Sequence, residues 1–242
     1  MKKLSLLLAL ILVMALIFTV FTACSKDENK DNTKDAAAGD SDNGENETPA
    51  EPTVPVIDGV IDAIWDKAEA YHLSKVKVGA DTGVDSYFKI LYDENKLYVL
   101  VVVPDKTPNY DHNDNYQKDG IETPIDFRNI KSAKYEDDGQ INLTFFRNGN
   151  DFIFGQDGKG AWTADMIEWA LKDNGADGYI VEIAYNVNAA IGMKLAAGTT
   201  IGIDMQVNDN AEGTGRTACY AWSDEIDKVW ENPSVMGEIT LK

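Results

Sequence analysis

The chain has 242 residues, with 22 basic against 41 acidic side chains and a formal net charge of -19. That acid excess repels a phosphate backbone and argues against nucleic acid as a partner. Two cysteines and two histidines are poor raw material for a disulfide framework, a His-rich zinc site or a Ser-His-Asp triad.

In chain order, Lys2 and Lys3 precede an apolar run from Leu4 to Val20, and the small residues Thr22 and Ala23 lead into Cys24. This pattern resembles a bacterial lipoprotein signal, with Phe21 where Leu is usual, which implies cleavage after residue 23, lipidation of Cys24 and a membrane-anchored, extracytoplasmic chain; an uncleaved membrane anchor, which the length of the apolar run also allows, is the alternative. Residues 24–55 are Asp, Glu, Asn, Lys, Gly, Ala, Thr and Pro with almost nothing able to build a core, so they read as a disordered acidic tether. Residues 56–242 have the length of one domain. Only Cys219 remains within it, so no internal disulfide ties its loops, and bound calcium is the expected substitute.

The domain reads as all-β, a sandwich of two antiparallel sheets preceded by one short helical turn. That turn places Ile61, Trp65 and Ala68 on one face, with Trp65 as a core plug. The run from Lys96 to Val103 is β-branched and aromatic and is stopped by Pro104, as a strand buried on both faces would be. Further strands are predicted over 87–92, 121–127, 140–146, 166–171, 179–185, 200–208, 217–222 and 237–241, separated by Gly, Asn and Asp clusters. Pro124 inside a strand pattern predicts an edge or a bulge.

Two loops carry chemistry. Asp105, Asp111, Asp114 and Asp119 crowd one loop, where Lys106 and Lys118 supply too little positive charge to neutralise them; hard oxygen ligands of this kind suit calcium, with Asp105, Asp111 and Asp114 as the expected ligands, and a simply solvated acidic loop is the alternative. The other is the run from Ala221 to Ser234. Trp222 closes a short apolar stretch and reads as core, whereas Trp230 stands just before the turn signal Asn232-Pro233-Ser234 and reads as a surface ring. Indoles among acids and amides suit a sugar, whose apolar C–H face lies on a ring while its hydroxyl rim meets carboxylates and amides. His72 and His112 are unconvincing as ligands.

Together the segments Val56-Ile57-Asp58-Gly59-Val60-Ile61-Asp62-Ala63-Ile64-Trp65, 91–100, Gly178-Tyr179-Ile180-Val181-Glu182, 201–209, Trp222-Ser223-Asp224 and 233–237 resemble, in order, the blocks of family 9 carbohydrate-binding modules. The resemblance implies a β-sandwich that holds a terminal sugar between two aromatic rings, here Tyr116 and Trp230. It also implies polar partners at Glu122, Gln206 and Asp227. At Asn142 sugar-binding members carry Arg, and at Tyr116 they usually carry Trp; both departures bear on affinity and sugar choice but not on the sandwich.

The expected function is non-catalytic binding of the chain end of an oligo- or polysaccharide near the cell, with secreted glycoside hydrolases as partners. Three other readings stay open at this point: a small glycoside hydrolase using a pair of carboxylates, a haem-binding sandwich, and a structural surface domain whose slot has decayed.

Overall fold

The protein is seen in a computed structural model that describes residues 53–242. The expected signal 1–23, Cys24 and nearly all of the expected tether 24–55 lie outside the described residues. In chain order the strands are β1 (Ala70–His72), β2 (Lys75–Gly79), β3 (Tyr87–Tyr92), β4 (Lys96–Val103), β5 (Gly120–Asp126), β6 (Gln140–Phe146) and β7 (Phe152–Asp157). They continue with β8 (Ile167–Asp173), β9 (Tyr179–Asn186), β10 (Thr200–Ile203), β11 (Gln206–Asp209), β12 (Ala218–Ala221) and β13 (Gly237–Thr240); one helical turn, α1 (Val187–Ile191), follows β9. All ladders are antiparallel, as expected for a sandwich.

The first sheet has the order β1-β3-β4-β9-β8. In the second, β5 lies at the centre, with β6 and β7 on one side and β10 and β11 on the other; β13 extends β10, while β12 and then β2 extend β11. Period-two alternation sends Leu97, Val99, Val101 and Val103 of β4 into the core between the sheets, against Ile121 and Ile125 of β5 and Ile141, Leu143 and Phe145 of β6. Tyr98 and Leu100 point the other way, which is why this strand has no polar face.

A second apolar cluster covers that outer face of the first sheet. Ile64 and Trp65, on a 3-10 turn at Ala63–Lys67, pack there on Tyr98, Leu100 and Ala184. Trp65 is fully buried, and its indole Nε1 donates to Glu182 Oε1 at 2.9 Å. Glu182 Oε2 accepts the N–H groups of Asp58 (3.1 Å) and Gly59 (2.9 Å), so one buried carboxylate stitches the N-terminal segment to the sheet. Ile61 departs from expectation: the turn begins two residues after it, so it is exposed and Ile64 takes the buried place.

Three strands escape the sequence reading, β1, β2 and β7, and each lies at the end of a sheet, half-buried and without a sustained apolar pattern. The predicted strand 200–208 is instead two, β10 and β11, broken at Asp204-Met205. Pro124 explains the break. It lies in the central strand, not at an edge, and its carbonyl accepts from Asp204 N at 3.0 Å; the N–H that proline lacks would point to the same side, so the ladder is interrupted there on the neighbouring strand.

Candidate functional site

The outer face of the second sheet carries a polar row. Gln206 of β11 is in register with Glu122 of β5, Glu122 with Thr144 of β6, and Thr144 with Ile153 of β7. Asn142 lies two residues from Thr144 on the same face. These side chains floor a cavity of about 440 Å³ whose walls are Tyr116, Arg216, Asp227 and Trp230. All six positions singled out in the sequence (Tyr116, Glu122, Asn142, Gln206, Asp227 and Trp230) line it.

The floor is wired together. Arg216 Nη1 donates to Asn208 Oδ1 at 3.1 Å, and Asn208 Nδ2 donates to Glu122 Oε1 at 2.9 Å. Asn142 Nδ2 reaches Glu122 Oε2 at 3.4 Å. Two buried polar atoms of the floor, Asn142 Oδ1 and Gln206 Nε2, have no partner among the described residues. An unmatched buried polar group costs about 1–3 kcal/mol. One acceptor and one donor left over are what a hydroxyl, which does both, can satisfy. At Gly155, which lines the cavity, a Cβ would press on the Asn142 backbone carbonyl at 3.3 Å and on its side-chain amide at 3.5 Å.

Tyr116 and Trp230 are the exposed rings of the cavity, at 50% and 46% exposure, and among the described residues they make no contact with each other. Trp222 packs edge-on to Tyr71 and Phe88 at 5.6 Å, next to the core as expected. The loop bearing Trp230 is held from below. Asp224 Oδ2 accepts the N–H groups of Lys228 (2.7 Å) and Val229 (3.0 Å), Oδ1 accepts that of Ile226, and Tyr135 donates to the Val229 carbonyl at 2.8 Å. Asp227, in the left-handed region at φ 54°, sets its carboxylate between Lys77 Nζ at 3.2 Å and Arg216 Nη2 at 3.8 Å. Burial would raise the Asp224 carboxyl, but the N–H donors of Val229 and Ile226 and the Lys77 ammonium outweigh it and hold it below the ordinary range.

Tyr116 sits on a 3-10 turn, Asn115–Gln117. Next to it, Gln117 Oε1 accepts the N–H of Arg216 at 2.6 Å, and the Arg216 guanidinium lies over the Tyr116 ring at 5.4 Å. Arg216 is the wall residue that the sequence reading missed. The available signal was its rarity, since the chain has three arginines, Arg128, Arg147 and Arg216. Arg128 pairs with Asp137 on the surface and Arg147 is buried among acids, which leaves Arg216 for the cavity.

The acidic loop converges on a different set of carboxylates from the expected one. Asp105, Asp119 and Asp209, all buried, bring one oxygen each within 4.8 Å of one another, whereas Asp111 and Asp114 stay exposed on the outward part of the loop. Asp209 joins from the end of β11, too far away in sequence to be grouped with that loop. Arg147 Nη1 contacts Asp105 Oδ2 at 2.7 Å and Asp119 at 3.7 Å, and its Nη2 pairs with Asp173 at 3.0 Å, so one guanidinium is shared among three carboxylates and only two of them belong to the converging set. Burial pushes Asp119 up to about 7, with the charges of Asp105 and Asp209 adding to it against the N–H donors of Asn109 and Asn210. Asp209 Oδ1 is buried and has no partner among the described residues. An all-oxygen set with surplus negative charge and one oxygen to spare fits a hard cation such as calcium.

The curated relatives include the endo-1,4-beta-xylanase A of Thermotoga maritima, 35% identical over 192 residues, and the exoglucanase XynX of Acetivibrio thermocellus, 35% identical over 188 residues. The matches cover 77% of this chain but only 17% and 16% of those proteins, so the chain spans about a sixth of their length. Among solved structures, a family 9 carbohydrate binding module from Caldicellulosiruptor kristjanssonii in complex with cellotriose superposes with a TM-score of 0.68 at 31% identity, over 78% of this chain and 90% of that one. The same module in complex with glucose gives 0.68 at 30% identity, over 78% and 92%. The family model described as carbohydrate family 9 binding domain-like matches residues 57–242, the whole sandwich including both ring-bearing loops. By that match, the chain belongs to the carbohydrate family 9 binding domain-like family.

Proposed function

We propose that the cavity on the second sheet binds the terminal sugar of a glucose-type oligo- or polysaccharide without making or breaking a bond. The observation that carries this reading is the pairing of two half-exposed rings, Tyr116 and Trp230, across a floor that leaves one donor and one acceptor unmatched. A sugar stacks its C–H face on a ring and answers the floor with its hydroxyls. Arg216, held by Asn208 and Asp227, adds a charged donor on the wall. The solved relatives with cellotriose and glucose support the same ligand class. Calorimetric titration with glucose and cello-oligosaccharides tests it: saturable binding that disappears in Glu122→Ala is expected, and no heat with any of these sugars overturns the reading.

The rest of the proposal extends from the site to the cell. Calcium at Asp105, Asp119 and Asp209 would neutralise their charge and order the backbone that leads to Tyr116, three residues before Asp119. Lipidation at Cys24 would hold the domain at the membrane surface. Secreted glycoside hydrolases would then act on polysaccharide kept close to the cell. Metabolic labelling with a fatty-acid analogue should mark the parent chain and not Cys24→Ala; a parent that takes up no label would refute the lipidation part alone.

A further inference from the structure

A second cavity, of about 460 Å³, lies alongside the first and is lined by Ala133, Lys134, Tyr135, Gln156, Glu231 and Asn232. The two share a wall: Gln156 lines both, and Glu231 directly follows Trp230. A ligand that leaves the space beside Trp230 along β7 therefore passes Gln156 and enters the second cavity. Its polar groups are unspent. Neither the Gln156 side-chain amide nor the Lys134 ammonium has a hydrogen-bond or ion-pair partner among the described residues. Asn232 uses its Oδ1 to cap the turn at Pro233–Val235, through Ser234 N at 3.0 Å, and its amide nitrogen is left over. Glu231 is engaged only with the exposed Lys228. The one ring present, Tyr135, has its hydroxyl committed to the Val229 carbonyl.

We propose that this second cavity is a subsite for the sugar units that follow the chain end held between Tyr116 and Trp230. The inference rests on the function proposed above and adds to it the direction in which the chain runs. Its chemistry differs from that of the slot. With free amides, an ammonium and a carboxylate beside a single part-buried ring, Tyr135, it grips hydroxyl rims more than C–H faces. Lys134 and Glu231 bring opposite charges to the same groove, which suits a neutral polyhydroxylated chain and offers no preference for an anionic one. Much of the contact is expected to run through water, so the gain per unit is modest.

The test is a length series, from mono- to tetrasaccharide, measured by calorimetry on the intact chain and two variants. Lys134→Ala/Glu231→Ala removes the hydroxyl partners, and Ala133→Arg obstructs the groove at an exposed position. In the parent, affinity is expected to rise beyond the shortest ligand that fills the slot. Both variants should keep the parent's monosaccharide affinity while losing about three- to tenfold for the tri- and tetrasaccharide, the worth of one or two net hydrogen bonds. A parent series that is flat from mono- to tetrasaccharide overturns the subsite and leaves the slot standing. Equal losses on short and long ligands also overturn it, because they would show the substitutions acting through the Trp230 loop. Failure of every sugar to bind removes the slot and the subsite together.

Discussion

The carboxylate of Asp204 accepts the backbone N–H of Asp224 at 2.9 Å, and Asp224 in turn accepts three N–H groups from the loop that presents Trp230. The break between β10 and β11 is thereby coupled to the ligand ring through two aspartates. The first of these also accepts from Met205, Trp222 and Ser223, so one buried carboxylate gathers N–H groups from the break and from the end of β12.

This coupling makes binding acid-sensitive in a defined direction. An unfolded aspartate titrates near about 3.9, and folded Asp224 lies lower, so its contribution is complete above that value and fades as pH falls through the depressed one. Asp204 works the other way, since burial raises it against its N–H donors, and Lys77 and Asp227 also face the pair. Loop order is therefore best read locally. Trp230 fluorescence and sugar affinity should fall together at the acid end, and Asp224→Asn should show the weakened loop already at neutral pH. An affinity that is flat through the acid range in the parent would refute the coupling.

Two tryptophans should behave oppositely. Trp230→Ala removes an exposed ring and should leave the melting temperature within a few degrees while abolishing most sugar binding. Trp65→Ala empties a fully buried site and strands Glu182 without its indole donor, so it should cost about 3–5 kcal/mol and threaten the fold. Thermal melts with matched titrations distinguish the two; a Trp230→Ala protein that binds normally would displace the site.

Calcium should stabilise the domain by binding the folded state. At 100 times its dissociation constant the gain is about 2.7 kcal/mol, roughly 5–10 °C for a domain of this size. Asp209→Asn should abolish that rise, because it removes one of the three converging carboxylates and the oxygen that has no partner. Asp111→Asn and Asp114→Asn, on the exposed part of the loop, should not. A melting temperature indifferent to calcium and to chelator would show that Arg147 alone balances the cluster.

What was legible in the sequence follows the strength of the local signal. β4 could be read because both of its faces are apolar, and Trp65 because it repeats with Ala68 behind Asp58-Gly59. Glu122, Asn142 and Gln206 were placed by resemblance, and strand register explains why residues so far apart in sequence share a cavity. Arg216 and Asp209 were out of reach for the same reason in reverse: each depends on which segments meet, a tertiary fact that no local period encodes. The edge strands β1, β2 and β7 lacked the burial that would have written a pattern into their composition.

The stitch at Glu182 also fixes which way the domain looks. Residues 54–65 enter across the outer face of the first sheet, whereas the rings and the polar row open on the outer face of the second. The thickness of the sandwich separates the two, so residues 54–65 take no part in the face that carries the rings. That face is left clear of residues 54–65, so a bulky polysaccharide surface laid flat across it, as the proposed function requires, would disturb none of the hydrogen bonds that Glu182 accepts.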